Sequence, residues 1–376
     1  VDHPVRTGAS AALVAGTVEY RIGGPSDPHG TVGHVFSVAT DPDARRRGYA
    51  RACVESLLEW FRGRGARRVR LTASAEAAPL YASLGFRPRP DPLPELSLSA
   101  LRLDAMSLKS LALIENWPVS TAAAGVVRAD GTVLGTHGPE GQRFPLASVT
   151  KPLTAYAVLV AYEEGAVELD EPAGPEGATV RHLLAHTSGL AFDEHRVTSA
   201  PGERRLYSNA GFEQLGDHVA RATEIPFAEY LRQAVLEPLA MTATSLEGSP
   251  AKDAVSTVAD LLGFAAEIQA PRLLDPRTVA EAMTVQYPGT KGVLPGYGHQ
   301  NPNDWGLGFE IRASKSPHWT GGSSSPRTFG HFGQSGTFLW IDPAAGAACV
   351  ALTDRAFGPW AVEAWPPFTD AVLAEL

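Results

Sequence analysis

The sequence predicts a two-domain α/β protein: a small α+β layer, then a larger domain in which an antiparallel sheet is flanked by helices. Three observations carry this. The segment "RPRPDPLPELS" (Arg87 to Ser97) places prolines at 88, 90, 92 and 94, which favours extended chain and forbids helix, so it reads as a linker or an edge strand leaving a domain. Before this seam the order is strand, strand, helix, strand, helix. After it, a hairpin lies near each end of the region with helical sequence between. We place the boundary near residue 105, giving domains 1–104 and 105–376, as a chain of 376 residues leads one to expect.

Each element has its own warrant. "ALVAGTVEYRIG" and "GHVFSVAT" are rich in β-branched and aromatic residues and predict strands. "DPDARRRGYARACVESLLEWFRGRG" carries Ala52, Leu57, Leu58 and Phe61 at helical spacing and ends on Gly63 and Gly65. A strand "RRVRLTAS" and a short helix "EAAPLYASLGF" follow. After the seam, "TAAAGVVRADGTVLGTHG" predicts a hairpin turning at Asp130-Gly131. "SVTKPLTAYAVLVAYEEG" is apolar nearly all round from Ala155 to Ala161, the mark of a helix at the centre of a domain. "TFLWIDPAAGAACVALTD" predicts a second hairpin and "WAVEAWPPFTDAVLAEL" a closing helix. No internal repeat is visible.

Composition narrows the function classes. A hydrophobic fraction of 44% with 19% charged residues describes packed cores, not a disordered chain. A net charge of −9 argues against nucleic acid as partner, and no apolar run reaches the ~18–20 residues of a membrane span. The arginines at 45, 46, 47, 51, 62, 64, 67, 68 and 70 read mainly as solvated helix surface, with a small phosphorylated ligand as the alternative. Cys53 and Cys349 stand alone, giving neither a disulfide framework nor a metal cluster. His182 and His186 lack the intervening Glu of the zinc-protease arrangement, so no metal is expected. Asp193, Glu194 and His195 read as a solvated loop, and Trp305 as a packing residue. The first residues show no signal-peptide pattern, so a cytoplasmic location is expected.

One lysine carries the chemistry. The chain has five lysines, and the remaining 27 of its 32 basic residues are arginines. A lysine retained at 151, three positions after Ser148, therefore asks for something arginine cannot do, namely to lose its proton when buried. Positions i and i+3 share a helix face, so Ser148 Oγ and Lys151 Nζ can meet. Pro152 fits a first helical turn, where an N–H has no internal partner. The spacing points to a nucleophile and its activator.

Two further stretches accompany this pair: "RLYSNAGFEQLG", with Tyr207-Ser208-Asn209, and "FGHFGQSGTFLWIDP", with His331-Phe332-Gly333. With these three ordered motifs the chain from about 107 to 376 resembles the serine β-lactamase and penicillin-binding superfamily, in particular class C β-lactamases, D-alanyl-D-alanine peptidases and their esterase relatives. "FPLASVTKPLTA", "LLAHTSGLAF" and "WGLGFEI" match the same group. The resemblance implies an antiparallel sheet flanked by helices with a helical subdomain. It implies Ser148 as acylated nucleophile, Lys151 as its proton acceptor or electrostatic partner, and Tyr207 as the phenolic acid or base serving the leaving group. Asn209 would bind the substrate's acyl side-chain amide, and His331, Phe332 and Gly333 would occupy the Lys-Thr-Gly position at the site's edge. The amides of Ser148 and Gln334 would form the oxyanion hole. His331 and Phe332 stand where the β-lactam-hydrolysing members have lysine and a hydroxyl residue, the anchors of a substrate carboxylate. Their replacement favours a small neutral ester or amide, with no cofactor. Which of Lys151 and Tyr207 is the base stays open.

Around residues 30–90 the strand, the turn Arg45-Arg46-Arg47-Gly48-Tyr49-Ala50 and "PLYASLGF" resemble the C-terminal half of GNAT-type N-acetyltransferases. That resemblance implies a CoA or acetyl-CoA pyrophosphate at Arg45, Gly48 and Ala50, pantetheine along the strand of Val38, and Tyr81 as thiolate-protonating group. About 30 residues precede the match, too few for the usual acceptor-site helices. The expectation is a truncated remnant that binds CoA weakly or not at all and serves as packing surface or a homodimer contact. Two rivals to the hydrolase remain: a non-catalytic sensor or scaffold for acylating ligands, and an acetyltransferase with an accessory C-terminal module.

Overall fold

The chain separates into two units, Val1–Ala105 and Met106–Leu376. The computed structural model describes residues 12–20, 31–40, 44–45, 47–66, 68–73, 77–88, 97–102 and 108–376. Seam residues 89–96, the boundary at 104/105, Arg46 and Arg67 lie outside the described residues.

The first unit contains strands β1 (Ala12–Tyr20) and β2 (Thr31–Thr40), helix α1 (Tyr49–Arg62), β3 (Arg68–Thr72), α2 (Ala78–Ser83), β4 (Arg87–Pro88) and β5 (Ser97–Arg102). Its sheet runs β1-β2-β3-β5-β4, with β2 and β3 parallel across α1 and the other pairs antiparallel. The buried face of α1 is Val54, Leu57, Leu58 and Phe61; Ala52, expected on it, is exposed. The spacing i, i+3, i+4, i+7 from Val54 explains the replacement, since it forms one stripe and Ala52 falls beside it. Cys53 on α1 is half-buried. Strand β5 was not anticipated.

In the second unit the hairpin β6 (Ala122–Arg128) and β7 (Val133–His137) is followed by α3 (Thr150–Glu163), α4 (Asn209–Thr223) and α5 (Val258–Gln269). Then come β8 (Glu310–Ile311), β9 (Phe329–Gly333), β10 (Thr337–Asp342), β11 (Ala347–Thr353) and α6 (Pro359–Ala374). The sheet order is β8-β9-β10-β11-β6-β7, antiparallel throughout. The second unit's two ends thus meet at β11 and β6, as hairpins at both ends with helices between them lead one to expect. At the first turn Asp130 Oδ1 accepts the Thr132 N–H at 2.8 Å, and at the second Asp342 Oδ1 accepts that of Ala344 at 2.9 Å.

Strand alternation feeds two cores. Ala348, Val350 and Leu352 of β11 face a core shared with α3 and α5, whereas Ala347, Cys349 and Ala351 face a second core with Trp365 and Phe368 of α6. Burial on both faces is why β11 reads as an unbroken apolar run. Helix α3 is buried from Thr150 to Ala161, which accounts for its all-round apolarity. No helix among the described residues is long and apolar enough to cross a membrane.

Candidate active site

Ser148 sits in a 3-10 turn, Ala147–Val149, that runs into α3. The residue before it, Ala147, has φ 45°, a left-handed conformation costing a side-chain-bearing residue about 1–2 kcal/mol. Neighbouring bonds hold it there. The Leu146 N–H donates to Ala254 O at 2.8 Å, the Thr337 hydroxyl donates to Leu146 O at 2.9 Å, and the Ser335 hydroxyl donates to Pro145 O at 2.7 Å. Gly333 makes the close approach possible: a Cβ there would lie 2.3 Å from Leu146 O. The end of β9 is thereby pressed against the strap that presents Ser148.

Lys151 is fully buried one helical turn further on. Its Nζ lies 3.4 Å from Ser148 Oγ, and it donates to Asn209 Oδ1 at 2.6 Å and to Ala251 O at 2.9 Å. All three partners are neutral oxygens. The other buried lysine, Lys315, is instead paired with the buried Glu310 carboxylate, which also accepts from His318 and Trp319. Burial holds Lys151 well below the ordinary lysine value against the opposing pull of Asp193; Lys252 adds to the depression and Glu213 opposes it. A neutral amine has two N–H groups and one lone pair. The two short bonds use both N–H groups, which leaves the lone pair for the hydroxyl of Ser148.

Tyr207 closes the site. Burial raises its phenol above the ordinary value, only partly countered by the Ser148 hydroxyl, so it stands as a protonated donor. Its oxygen is 3.5 Å from His331 Nε2, and Lys151 Nζ lies 4.6 Å above its ring. His331 Nδ1 is 2.7 Å from Phe332 O, which requires the proton on Nδ1 and a lone pair on Nε2 toward Tyr207. Burial lowers His331 to about 3, so the ring is neutral. Behind Tyr207 stacks His186, centroids 4.5 Å apart, with Trp305 edge-on to His186 at 4.8 Å. The middle residue of Tyr207-Ser208-Asn209 explains the motif's spacing: the Ser208 hydroxyl caps α4 by accepting the Gly211 N–H at 3.0 Å, and this sets Tyr207 and Asn209 on either side.

The structure changes one of the sequence-based placements, Phe332, and adds contacts to two others, Asn209 and Asp193. Asn209, expected on the substrate, is 5% exposed with both ends of its amide engaged, Oδ1 by Lys151 and Nδ2 by Asp193 Oδ1 at 2.7 Å. Phe332, expected at the substrate edge, points the other way, because strand neighbours alternate faces. It packs on Phe357 at 5.0 Å and Trp365 at 5.9 Å in the second core. Asp193, read as solvated loop, is exposed yet bound to Asn209. Gln334 follows directly after β9, exposed, and its carbonyl accepts the Phe357 N–H at 2.8 Å. The Ala251 carbonyl left no signal in the sequence, since any residue carries one. Beside Tyr207 opens a cleft of ≈ 510 Å³ lined in part by Phe192, Leu206, Val293, Lys291 and Arg204.

Residues 115–374 match the family model for β-lactamase. The chain belongs to the β-lactamase family. A crystal structure of a β-lactamase from Mycobacterium bovis is 57% identical, covering 71% of this chain and 99% of that one with a TM-score of 0.70. A mutant of the simvastatin synthase LovD from Aspergillus terreus shares the fold at 16% identity, with a TM-score of 0.58 over 70% of this chain and 93% of that one. Among curated relatives, penicillin-binding protein 4* of Bacillus subtilis is 28% identical over 134 residues, 27% of this chain and only 30% of that relative's length. Hydrolases of the β-lactamase family work without a cofactor.

Residues 7–86 match the model for the acetyltransferase (GNAT) family. Two features of the first unit fit a CoA pyrophosphate and its pantetheine arm. Gly48 has φ 86° and caps α1 without a side chain, leaving the amides of the first turn, Ala50 among them, open. Parallel pairing of β2 with β3 ends at Val35–Leu71 while β2 continues past Val38 to Thr40, so the strands part there. Arg45 is exposed beside this turn. Tyr81 is 5% exposed, packed on Phe86 at 5.8 Å in the core under α1, and burial pushes its phenol up.

Proposed function

We propose that the second unit is a serine hydrolase of small neutral esters or amides, working through an acyl-enzyme at Ser148. One observation carries the reading: Lys151 Nζ is fully buried among neutral oxygens, 3.4 Å from Ser148 Oγ, and burial holds it well below the ordinary lysine value. As Ser148 Oγ adds to the substrate carbonyl, its proton passes to Lys151 Nζ, and the amides of Ser148 and Gln334 receive the developing oxyanion. Tyr207, whose phenol burial keeps protonated, gives a proton to the departing alkoxide or amine and is reprotonated at the expense of Lys151. Its hydrogen bond to His331 fixes the phenol's direction. A water then repeats the sequence on the acyl-enzyme, releasing the acid and restoring Ser148. Lys151 is thus the base and Tyr207 the acid.

Substrate choice follows from the edge strand. A neutral His331 and a core-facing Phe332 leave β9 without a cation or hydroxyl for a substrate carboxylate, which supports uncharged acyl groups. The cleft beside Tyr207, with Phe192 and Val293 at its mouth, accommodates an apolar portion. Turnover of p-nitrophenyl esters, nitrocefin and a D-amino-acid amide, read together with the intact mass of the protein, tests the proposal. A transient adduct on Ser148 with ester turnover is the expected result. A permanent adduct would make the protein a sensor, and absence of any adduct would remove Ser148 as nucleophile.

The first unit is proposed to bind CoA weakly through Arg45, Gly48 and Ala50, and not to transfer acetyl groups, because Tyr81 is only 5% exposed and packs on Phe86. Calorimetry with CoA and an acetyl-transfer assay on simple amines test both parts.

A further inference from the structure

Asp193 has no part in the chemistry described so far, yet it ends a chain of short hydrogen bonds that begins at the base. Lys151 Nζ donates to Asn209 Oδ1 at 2.6 Å, and Asn209 Nδ2 donates to Asp193 Oδ1 at 2.7 Å. We infer that Asp193 is a positioning residue that, acting through Asn209, aims the lone pair of Lys151 at Ser148. The inference rests on the reading of Ser148 and Lys151 as nucleophile and base.

A carboxamide is nearly symmetric in shape and opposite in polarity at its two ends, so Asn209 could face the lysine with either. With Nδ2 inward, the amide would donate, and a neutral lysine would have to accept with its only lone pair. Nothing would then remain to take the proton of Ser148. With Oδ1 inward, the lysine spends an N–H there, spends the other on Ala251 O, and keeps the lone pair. An ionised carboxylate can only accept. Placed against the outer end of the amide, it holds Nδ2 outward and Oδ1 inward. The Ala251 acceptor belongs to the backbone and needs no such control.

The placement also separates orientation from charge neutralisation. A carboxylate directly on Lys151 would hold its proton, as Glu310 does for Lys315. One amide removed, Asp193 pulls the lysine back toward its charged form without overcoming burial. The other groups facing Lys151 are Glu213 on α4, which pulls the same way, Lys252, which opposes, and the neutral rings of His186, His331 and Tyr207. The loop holding Asp193 is anchored by backbone: the Asn209 and Ala210 N–H groups donate to Phe192 O at 2.7 and 3.2 Å, and Ala191 N–H to Arg196 O at 2.9 Å. Replacing the exposed Asp193 side chain therefore leaves the loop's attachment intact.

The test compares wild type, Asp193→Asn and Asp193→Glu in p-nitrophenyl acetate hydrolysis from pH 4 to 10, with the acylation rate of Ser148 read by intact mass. Asparagine matches the carboxylate in size but can donate, so it no longer dictates which way Asn209 points. The expected result for Asp193→Asn is a fall of ~10–100-fold in plateau kcat, as for a slightly misplaced catalytic group, with KM changed far less. Its acid limb moves to lower pH, because losing a negative charge favours the neutral lysine. Asp193→Glu regains part of the rate. A wild-type plateau in Asp193→Asn overturns the inference, whether or not the limb moves. So does a loss of rate with the limb unmoved, which marks a merely structural contact. If wild type itself forms no adduct on Ser148, the functional reading fails; if both proteins acylate equally fast, the positioning role alone fails.

Discussion

Lys151 and Lys315 meet burial with different partners, one among neutral oxygens and one against the Glu310 carboxylate, and the difference gives the residue-scale predictions. Ser148→Ala should abolish ester hydrolysis, and Lys151→Arg should cost on the order of 10³-fold in kcat/KM even though it keeps the charge, because arginine has no accessible free base. Steady-state kinetics checks both, and near wild-type rates in Lys151→Arg would leave lysine with only an electrostatic role. The histidines give a second prediction. His331 falls to about 3 when folded, and His186 is likewise held down by burial, from an ordinary value of 6.5. Below pH ~6.5 the unfolded chain therefore binds protons that the folded chain refuses, and stability falls on acidification, by up to about 1.4 kcal/mol per pH unit for each histidine. Above pH 6.5 neither contributes a slope. Urea titrations of wild type and His331→Gln from pH 4 to 8 measure this, and the variant should show the shallower acid slope.

Among the elements, the junction of β9 with the strap before α3 carries the site. A Cβ at 333 would meet Leu146 O at 2.3 Å and Thr337 Oγ1 at 2.6 Å, both held by other bonds. Gly333→Ala should thus push β9 from Ser148, and a loss of ~10²-fold in kcat/KM is expected, with the circular dichroism of the folded protein retained. Ala147→Gly should act in the other direction on stability, a gain of up to ~1 kcal/mol by denaturant titration from relief of the left-handed strain. A slower acylation in the same variant would show that the strain holds Ser148 in place. These features mark what the sequence could convey. The pairing of Ser148 with Lys151 is a local spacing across the turn that opens α3, and the hairpins and α3 announce themselves by period and turn residues, so all were legible. The φ of Ala147, the Ala251 carbonyl and the inward use of Asn209 depend on segments about 60 to 190 positions apart meeting, and no local pattern encodes that. Phe332 was legible in principle, since its parity against His331 on a strand puts the two side chains on opposite faces.

At the scale of the whole molecule, the proposed preference for neutral substrates turns on the charge of one edge strand. Short-chain aryl esters should be turned over with higher kcat/KM than nitrocefin or penicillin G under one set of conditions. A preference for the β-lactam would mean that another group, such as the exposed Arg327, supplies the missing anchor.

The two cysteines each belong to a different unit, and their burial turns them into clocks. Cys349 lies in β11 at the centre of the sheet, 0% exposed, its thiol pushed up by burial, whereas Cys53 is half-buried on α1. An alkylating reagent can reach Cys349 only while the sheet is open, so its labelling time under native conditions reports how often the second unit opens. Labelling of Cys53 reports the first unit separately. A ligand that occupies the folded second unit lowers the open fraction by mass action and should lengthen the Cys349 time while leaving the Cys53 time unchanged. A mass spectrometer following two alkylation rates could then screen acyl compounds for binding without requiring any of them to be turned over.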